Sequence, residues 1–150
     1  VNINLAVLLA LGAMAGEPKV LDVRFAVKEA GGHPVLHIAL ANHLTQVVKV
    51  PRSLATEQEM FGKLFDVRDA ETGQPLVYQG IMVKRGPLTE ADYLVMAPGK
   101  RRSNTIDLSR AYAFKPGSHT YTISYAGHYL LNGKEMPLTV GPVRFEHTGR

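Results

Sequence analysis

Val20-Leu21-Asp22-Val23-Arg24-Phe25-Ala26-Val27-Lys28 places Leu21, Val23, Phe25 and Val27 at every second position, with Asp22, Arg24, Ala26 and Lys28 between them. Successive side chains of a β-strand point to opposite faces, so this period predicts a strand buried on one side. Gly31-Gly32 and Pro34 mark a turn. Residues 35–41 then repeat the pattern, with Leu36, Ile38 and Leu40 on one face and His37 on the other. The two stretches read as the start of an antiparallel all-β domain.

The rest of the chain keeps the same grammar. Residues 46–50 predict a short strand ended by Pro51, and residues 52–62 are the one stretch with helical potential. There Ser53 or Thr56 is the expected cap and Gly62 the expected stop. Strands are expected at 63–69 and 76–85, joined by a turn at Glu71-Thr72-Gly73, and Gly86-Pro87 ends the second. A polar connection over 88–94, a turn at Ala97-Pro98-Gly99 and a short strand at 104–108 follow. After Lys115-Pro116-Gly117, Tyr121, Ile123 and Tyr125 alternate with polar residues over 120–126. Asn132-Gly133 turns the chain into a last strand at 138–146, whose Gly141-Pro142 signals an edge or a bulge. About 7–8 strands with such regular turn signals predict an immunoglobulin-like antiparallel β-sandwich with at most one short helix.

A chain of 150 residues fits one domain, expected over 17–150. Its 45% hydrophobic and 20% charged residues exclude a disordered chain. The absence of cysteine excludes disulfides, thiolate metal sites and a Cys nucleophile. Residues 5–15 read L-A-V-L-L-A-L-G-A-M-A, uncharged but short of the roughly 20 residues that span a bilayer. With Ala13-Met14-Ala15 ahead of Gly16 as a cleavage site, residues 1–16 are expected to be an export-signal remnant, the alternative being a docked apolar segment. A secreted or periplasmic location without a stable membrane span follows as an expectation. The net charge of +4 is mild, and the triplet Lys100-Arg101-Arg102, expected in a loop, has no interleaved aromatics, so no nucleic-acid partner is expected.

Signatures of catalysis are missing. There is no H-E-x-x-H to aim two imidazoles at one zinc, no G-x-S-x-G elbow and no Gly-rich phosphate loop. His33 and His43 bracket the strand at 35–41 and stand roughly 30 Å apart at 3.3 Å per residue, too far to share a metal. The pairs Glu57/Glu59 and Glu90/Asp92 have nothing around them to separate their pKa values, so they read as solvated. The expectation is a non-catalytic domain with no metal and no cofactor. Tyr112 or Tyr121 is expected to build the corner at which a tyrosine of a sandwich bonds an upstream backbone group.

Phe65-Asp66-Val67, Tyr78-Gln79-Gly80, Val83-Lys84-Arg85, Tyr93, Ala97-Pro98-Gly99, Asp107-Leu108-Ser109, Tyr112-Ala113-Phe114, Gly117 and Tyr121 follow one another in an order that carries a resemblance. With Ala41-Asn42 and Val48-Lys49-Val50 upstream, residues 20–146 resemble the N-terminal domain of the deuterolysin-like zinc endopeptidases, aspzincins that include peptidyl-Lys metallopeptidases. The resemblance implies a β-sandwich prodomain ahead of a catalytic domain. That family's zinc ligands lie in H-E-x-x-H and G-T-x-D, absent here, so no catalytic residue carries over. What it implies is a prodomain-like or inhibitor-like sandwich whose partner is a zinc endopeptidase, covering the active site or assisting folding. Lys84, Arg85, Lys100, Arg101 and Arg102 are the expected partner contacts, because basic side chains suit the acidic pocket of a protease that selects Lys. The alternative is a free-standing adhesion or accessory sandwich that binds a protein or glycan, or one that shares only the fold.

Overall fold

The structure is a computed structural model that describes residues 20–150. The export-signal expectation for residues 1–16 lies outside the described residues. Among the described residues, eight strands form two antiparallel sheets. β1 (Leu21–Ala30) and β2 (His33–Asn42) pair along their whole length, and β6 (Arg101–Asp107) adds to β2, giving a three-stranded sheet ordered β1-β2-β6. The five-stranded sheet is organised by the long β7 (Gly117–Leu131). β8 (Lys134–Gly149) pairs with β7, as do β4 (Asp66–Asp69) near one end and β3 (Val48–Pro51) near the other; β5 (Tyr93–Met96) then pairs with β3.

The alternation read from the sequence decides which faces meet. Leu36, Ile38 and Leu40 of β2 are fully buried, as are Val48 and Val50 of β3 and Tyr121 and Ile123 of β7, all in one apolar core. Phe25 of the smaller sheet meets Phe65 edge-on at 5.6 Å and Tyr125 of β7 at 6.5 Å, which ties the two layers together. Among the described residues no buried side-chain nitrogen or oxygen lacks a hydrogen-bond partner.

β8 buries Leu138 and Val140 on even positions but Phe145 and His147 on odd ones. The parity changes because Ile123 pairs with Val143 while Tyr125 pairs with Val140, so β8 carries one extra residue at Gly141-Pro142. This bulge re-phases the strand and turns both halves toward the same core. Gly141 has φ +84°, and a Cβ there would lie 2.5 Å from the Ile123 carbonyl oxygen, so only glycine fits.

Several local expectations are corrected. Residues 76–85 do not form a strand: isolated bridges at Arg68–Pro75 and Tyr78–Tyr112 are followed by open loop, the chain leaving the edge of β4 after the Leu76 N–H bonds the Val67 carbonyl. The strand expected at 63–69 shortens to β4, and the expected connection over 88–94 holds a 3-10 turn (Glu90–Asp92) before β5. The helix, α1 (Arg52–Ala55), is a single turn entered from Pro51, with no side-chain cap. It stops at Thr56 rather than at Gly62, since the buried Asn104 amide donates to the Leu54 and Glu57 carbonyls (3.1 and 2.8 Å) that a longer helix would use. Arg101 and Arg102 belong to β6, not to a loop.

Candidate functional site

The segment after β4 leaves the sheet under close control. Leu76 is buried, and its N–H donates to the Val67 carbonyl at 2.8 Å. The Gln79 N–H donates to the Ala111 carbonyl (2.8 Å) and the Ala113 N–H to the Val77 carbonyl (3.0 Å). The Tyr78 ring stands edge-on to Tyr112 at 5.6 Å while its hydroxyl donates to the Ile81 carbonyl at 2.6 Å, folding the chain outward. From there eleven consecutive residues, 81–91, are exposed, the longest such run among the described residues.

This loop is apolar where loops are ordinarily polar. Val77 is 70% exposed and Met82 74%, and Ile81, Val83 and Leu88 also face solvent, with Lys84 and Arg85 between them. Two contacts hold it to residues 59–62: the Val83 N–H donates to the Phe61 carbonyl at 2.8 Å, and the Arg85 guanidinium lies 5.4 Å from the centre of the Phe61 ring. On one side is a cleft of about 400 Å³ lined by Met60, Phe61, Leu64, Val83, Arg85 and Leu88, with Tyr125 and His128 also in its wall. On the other is a depression of about 660 Å³ that includes Tyr78, Gly80, Ile81 and Arg110 and shares Glu59 and Met60 with the first. The loop is therefore a ridge between two grooves.

The titratable groups nearby serve structure. The Tyr93 hydroxyl and His128 Nε2 are 2.6 Å apart, and Glu135 approaches the same nitrogen at 3.9 Å. Burial, reinforced by the carboxylates of Glu135, Asp92 and Glu90, pushes the Tyr93 hydroxyl above its usual range. His33, Asp107 and Ser109 cluster, but both partners meet the same nitrogen, Nδ1, at 2.9 and 3.0 Å. A relay from serine through imidazole to carboxylate uses both ring nitrogens, so this is not one. Burial alone would raise the Asp107 carboxyl; the Ser109 backbone N–H and hydroxyl, together with His33, outweigh it and hold it below the usual value. His147 is buried against Phe114 (5.0 Å) and meets Glu29 of β1 at 2.6 Å, joining the sheets. Among the described residues no group of three or more His, Asp or Glu is arranged to hold a metal ion.

The residues singled out in the sequence are scattered by the fold. Lys84 and Arg85 sit on the ridge. Lys100 closes the β5–β6 turn, its N–H donating to the Ala97 carbonyl at 3.1 Å and its carbonyl accepting from the Asn42 N–H at 2.9 Å. Arg101 and Arg102 pair with Ala41 and Leu40, and as strand neighbours they project to opposite faces of the smaller sheet. The basic triplet thus does not present one surface. Tyr112 is fully buried and its hydroxyl bonds the Phe65 backbone twice, donating to the carbonyl at 2.7 Å and accepting from the N–H at 3.1 Å. The Tyr121 hydroxyl accepts from the Lys115 N–H at 3.2 Å. The apolar half of the ridge escaped the sequence reading. Its signal was the consecutive Ile81-Met82-Val83 after Gly80, a run that does not alternate.

The molecule is thus an all-β antiparallel sandwich carrying one exposed apolar and basic loop, and among the described residues no helix is long and apolar enough to cross a membrane. No protein-family model matches the chain, and no curated protein matches it.

Proposed function

We propose that this chain is a non-catalytic sandwich that docks on a protein partner through the ridge at residues 79–88, the partner being a zinc endopeptidase whose cleft receives the basic side chains. The carrying observation is the exposed run 81–91, in which Ile81, Met82 and Val83 lead into Lys84 and Arg85. Contiguous exposed apolar side chains mark interaction surfaces, and each of these three is worth about 1.5–3 kcal/mol when fully buried. The loop holds no aromatic residue of the kind that stacks on a sugar, which favours a protein over a glycan. Two basic side chains beside the apolar tip match an acidic, apolar cleft. The resemblance to aspzincin prodomains supplies the identity of the partner and its proposed role, covering the active site or assisting folding.

The test is to titrate the purified chain into a Lys-selecting zinc endopeptidase and follow cleavage of a Lys-containing peptide, with binding measured by calorimetry. Dose-dependent slowing is expected. Met82→Ser is expected to weaken binding roughly tenfold to a hundredfold, at about 1.4 kcal/mol per factor of ten. Unchanged peptide cleavage at saturating chain, with no heat of binding, removes the reading.

A further inference from the structure

The ridge carries a second property that needs no partner. Lys84 and Arg85 lie in residues 81–86, which belong to no helix, strand or turn, inside the longest exposed run among the described residues. Endopeptidases bind substrate as an extended strand, so cutting within a folded domain concentrates where backbone is exposed and free of a sheet. Lys63 is exposed but flanked by the half-buried Gly62 and Leu64, and most other competing basic sites are held in regular structure. Arg24, Lys28, Lys49, Arg68, Arg101, Arg102 and Arg144 lie in strands. Lys115 precedes a proline, and Lys100 is fastened through both its N–H and its carbonyl. Around residues 84–86 the anchors to release are the Val83 N–H on the Phe61 carbonyl and the Arg85 side chain resting on the Phe61 ring, and the residue that follows, Gly86, offers no side chain to obstruct a cleft.

We infer that the Arg85–Gly86 bond is a processing site for an endopeptidase that selects basic side chains, and that the cut leaves a two-piece sandwich held without a covalent link. Water adds across the peptide bond: the C–N bond breaks, Arg85 gains a carboxylate and Gly86 becomes a new amino terminus. The pieces stay together because the cut falls between β4 and β5, and the sheets are laced across it. β2 pairs with β6, β3 with both β5 and β7, and β4 with β7, each across the cut. Tyr112 on Phe65, Lys115 on Asp69, Asn104 on Leu54 and His147 on Glu29 cross it as well. Where the docking reading above holds, the same cut severs the ridge and releases the partner.

The experiment uses trypsin, as a probe of basic specificity, on the intact chain under native conditions, followed by mass spectrometry and size-exclusion chromatography. The expected first products end at Arg85 and begin at Gly86, co-elute at the volume of the uncut chain, and separate only in denaturant. Replacing Lys84 and Arg85 together (K84Q/R85Q) is expected to slow the first cut at least about tenfold while leaving Tm unchanged, because both side chains are exposed. A first cut at Lys63, Lys100 or Arg110, or pieces that part without denaturant, overturns the proposal. No zinc endopeptidase is present in the digestion, so its outcome is independent of whether the chain docks on one.

Discussion

Single side chains close this fold where its backbone lacks a sheet partner. Asn42 is fully buried and donates to the Gln46 and Met96 carbonyls at 2.9 and 3.0 Å while its own side-chain oxygen accepts from the Leu44 N–H at 2.9 Å, so one amide fastens a turn to the end of β5. Tyr112 does the same for the backbone just ahead of β4. Its hydroxyl sits between the N–H and the carbonyl of Phe65, and burial pushes that hydroxyl far above its usual pKa range, so it stays protonated and available to donate. Tyr112→Phe removes one oxygen and strands both backbone groups in an apolar core. Each stranded group costs about 1–3 kcal/mol, so chemical denaturation is expected to show a loss of roughly 2–6 kcal/mol with an unchanged m-value. A loss below about 0.5 kcal/mol would mean that water reaches Phe65 and that the hydroxyl is no keystone.

At the scale of strands and turns, the bulge in β8 makes the sharpest claim. Without the extra residue, either Leu138 and Val140 or Phe145 and His147 would face solvent. Gly141→Ala puts a methyl group within 2.5 Å of the Ile123 carbonyl and strains a backbone at φ +84°, so a marked fall in Tm is expected, together with loss of amide-exchange protection along residues 138–147. Exchange protection that stays native there would show that the strand can re-phase without glycine. The sequence announced this feature, because Gly141-Pro142 interrupts an alternating run, and it announced β1, β2 and β7 through period two. Alternation is legible wherever one face is buried and the other wet. It fails for residues 76–85, where apolar side chains face solvent, and for β5, whose Tyr93-Leu94-Val95-Met96 is apolar without a break. The basic triplet misled for a related reason: charge density along a chain says nothing about which face of a strand each charge takes. Lys84 and Arg85 were legible as exposed basic residues, whereas the ridge that presents them depends on Tyr78, Phe61 and Ala111, contacts between distant segments that local pattern does not encode.

Across the whole molecule the two halves of the chain are fastened by Asp69 at the end of β4 and Lys115 just before β7. The Lys115 ammonium donates to Asp69 Oδ2 at 2.8 Å, and the Glu71 and Thr72 N–H groups donate to Oδ1 at 2.8 and 3.1 Å. Led by the Lys115 hydrogen bond, these partners hold the Asp69 carboxyl at about 2 against an ordinary 3.8, although its burial opposes them. A carboxyl whose folded pKa is depressed contributes stability above its unfolded pKa and loses that contribution as pH falls through the folded one. The stabilisation from this group is therefore complete only above about pH 5, where it is ionised in both states, and fades as the pH falls toward 2. Lys115 obeys the opposite sign: its pKa is raised, first by the hydrogen bond to Asp69, so its share is present below its unfolded value of 10.5 and goes as pH climbs past the folded one. Asp69→Asn keeps an oxygen for the two backbone donors but places an amide against the ammonium. Its Tm deficit relative to the parent chain is expected to be greatest between pH 5 and 8 and to shrink steadily from pH 4 to pH 2. Lys115→Met should give the same acid-side convergence, and the double replacement should be less harmful than the sum of the two, since each single change leaves the partner's charge or dipole uncompensated. Thermal melts of the four proteins at half-unit pH steps measure both effects, and parallel curves with no convergence in acid would show that Asp69 is not the group whose ionisation holds β4 to β7.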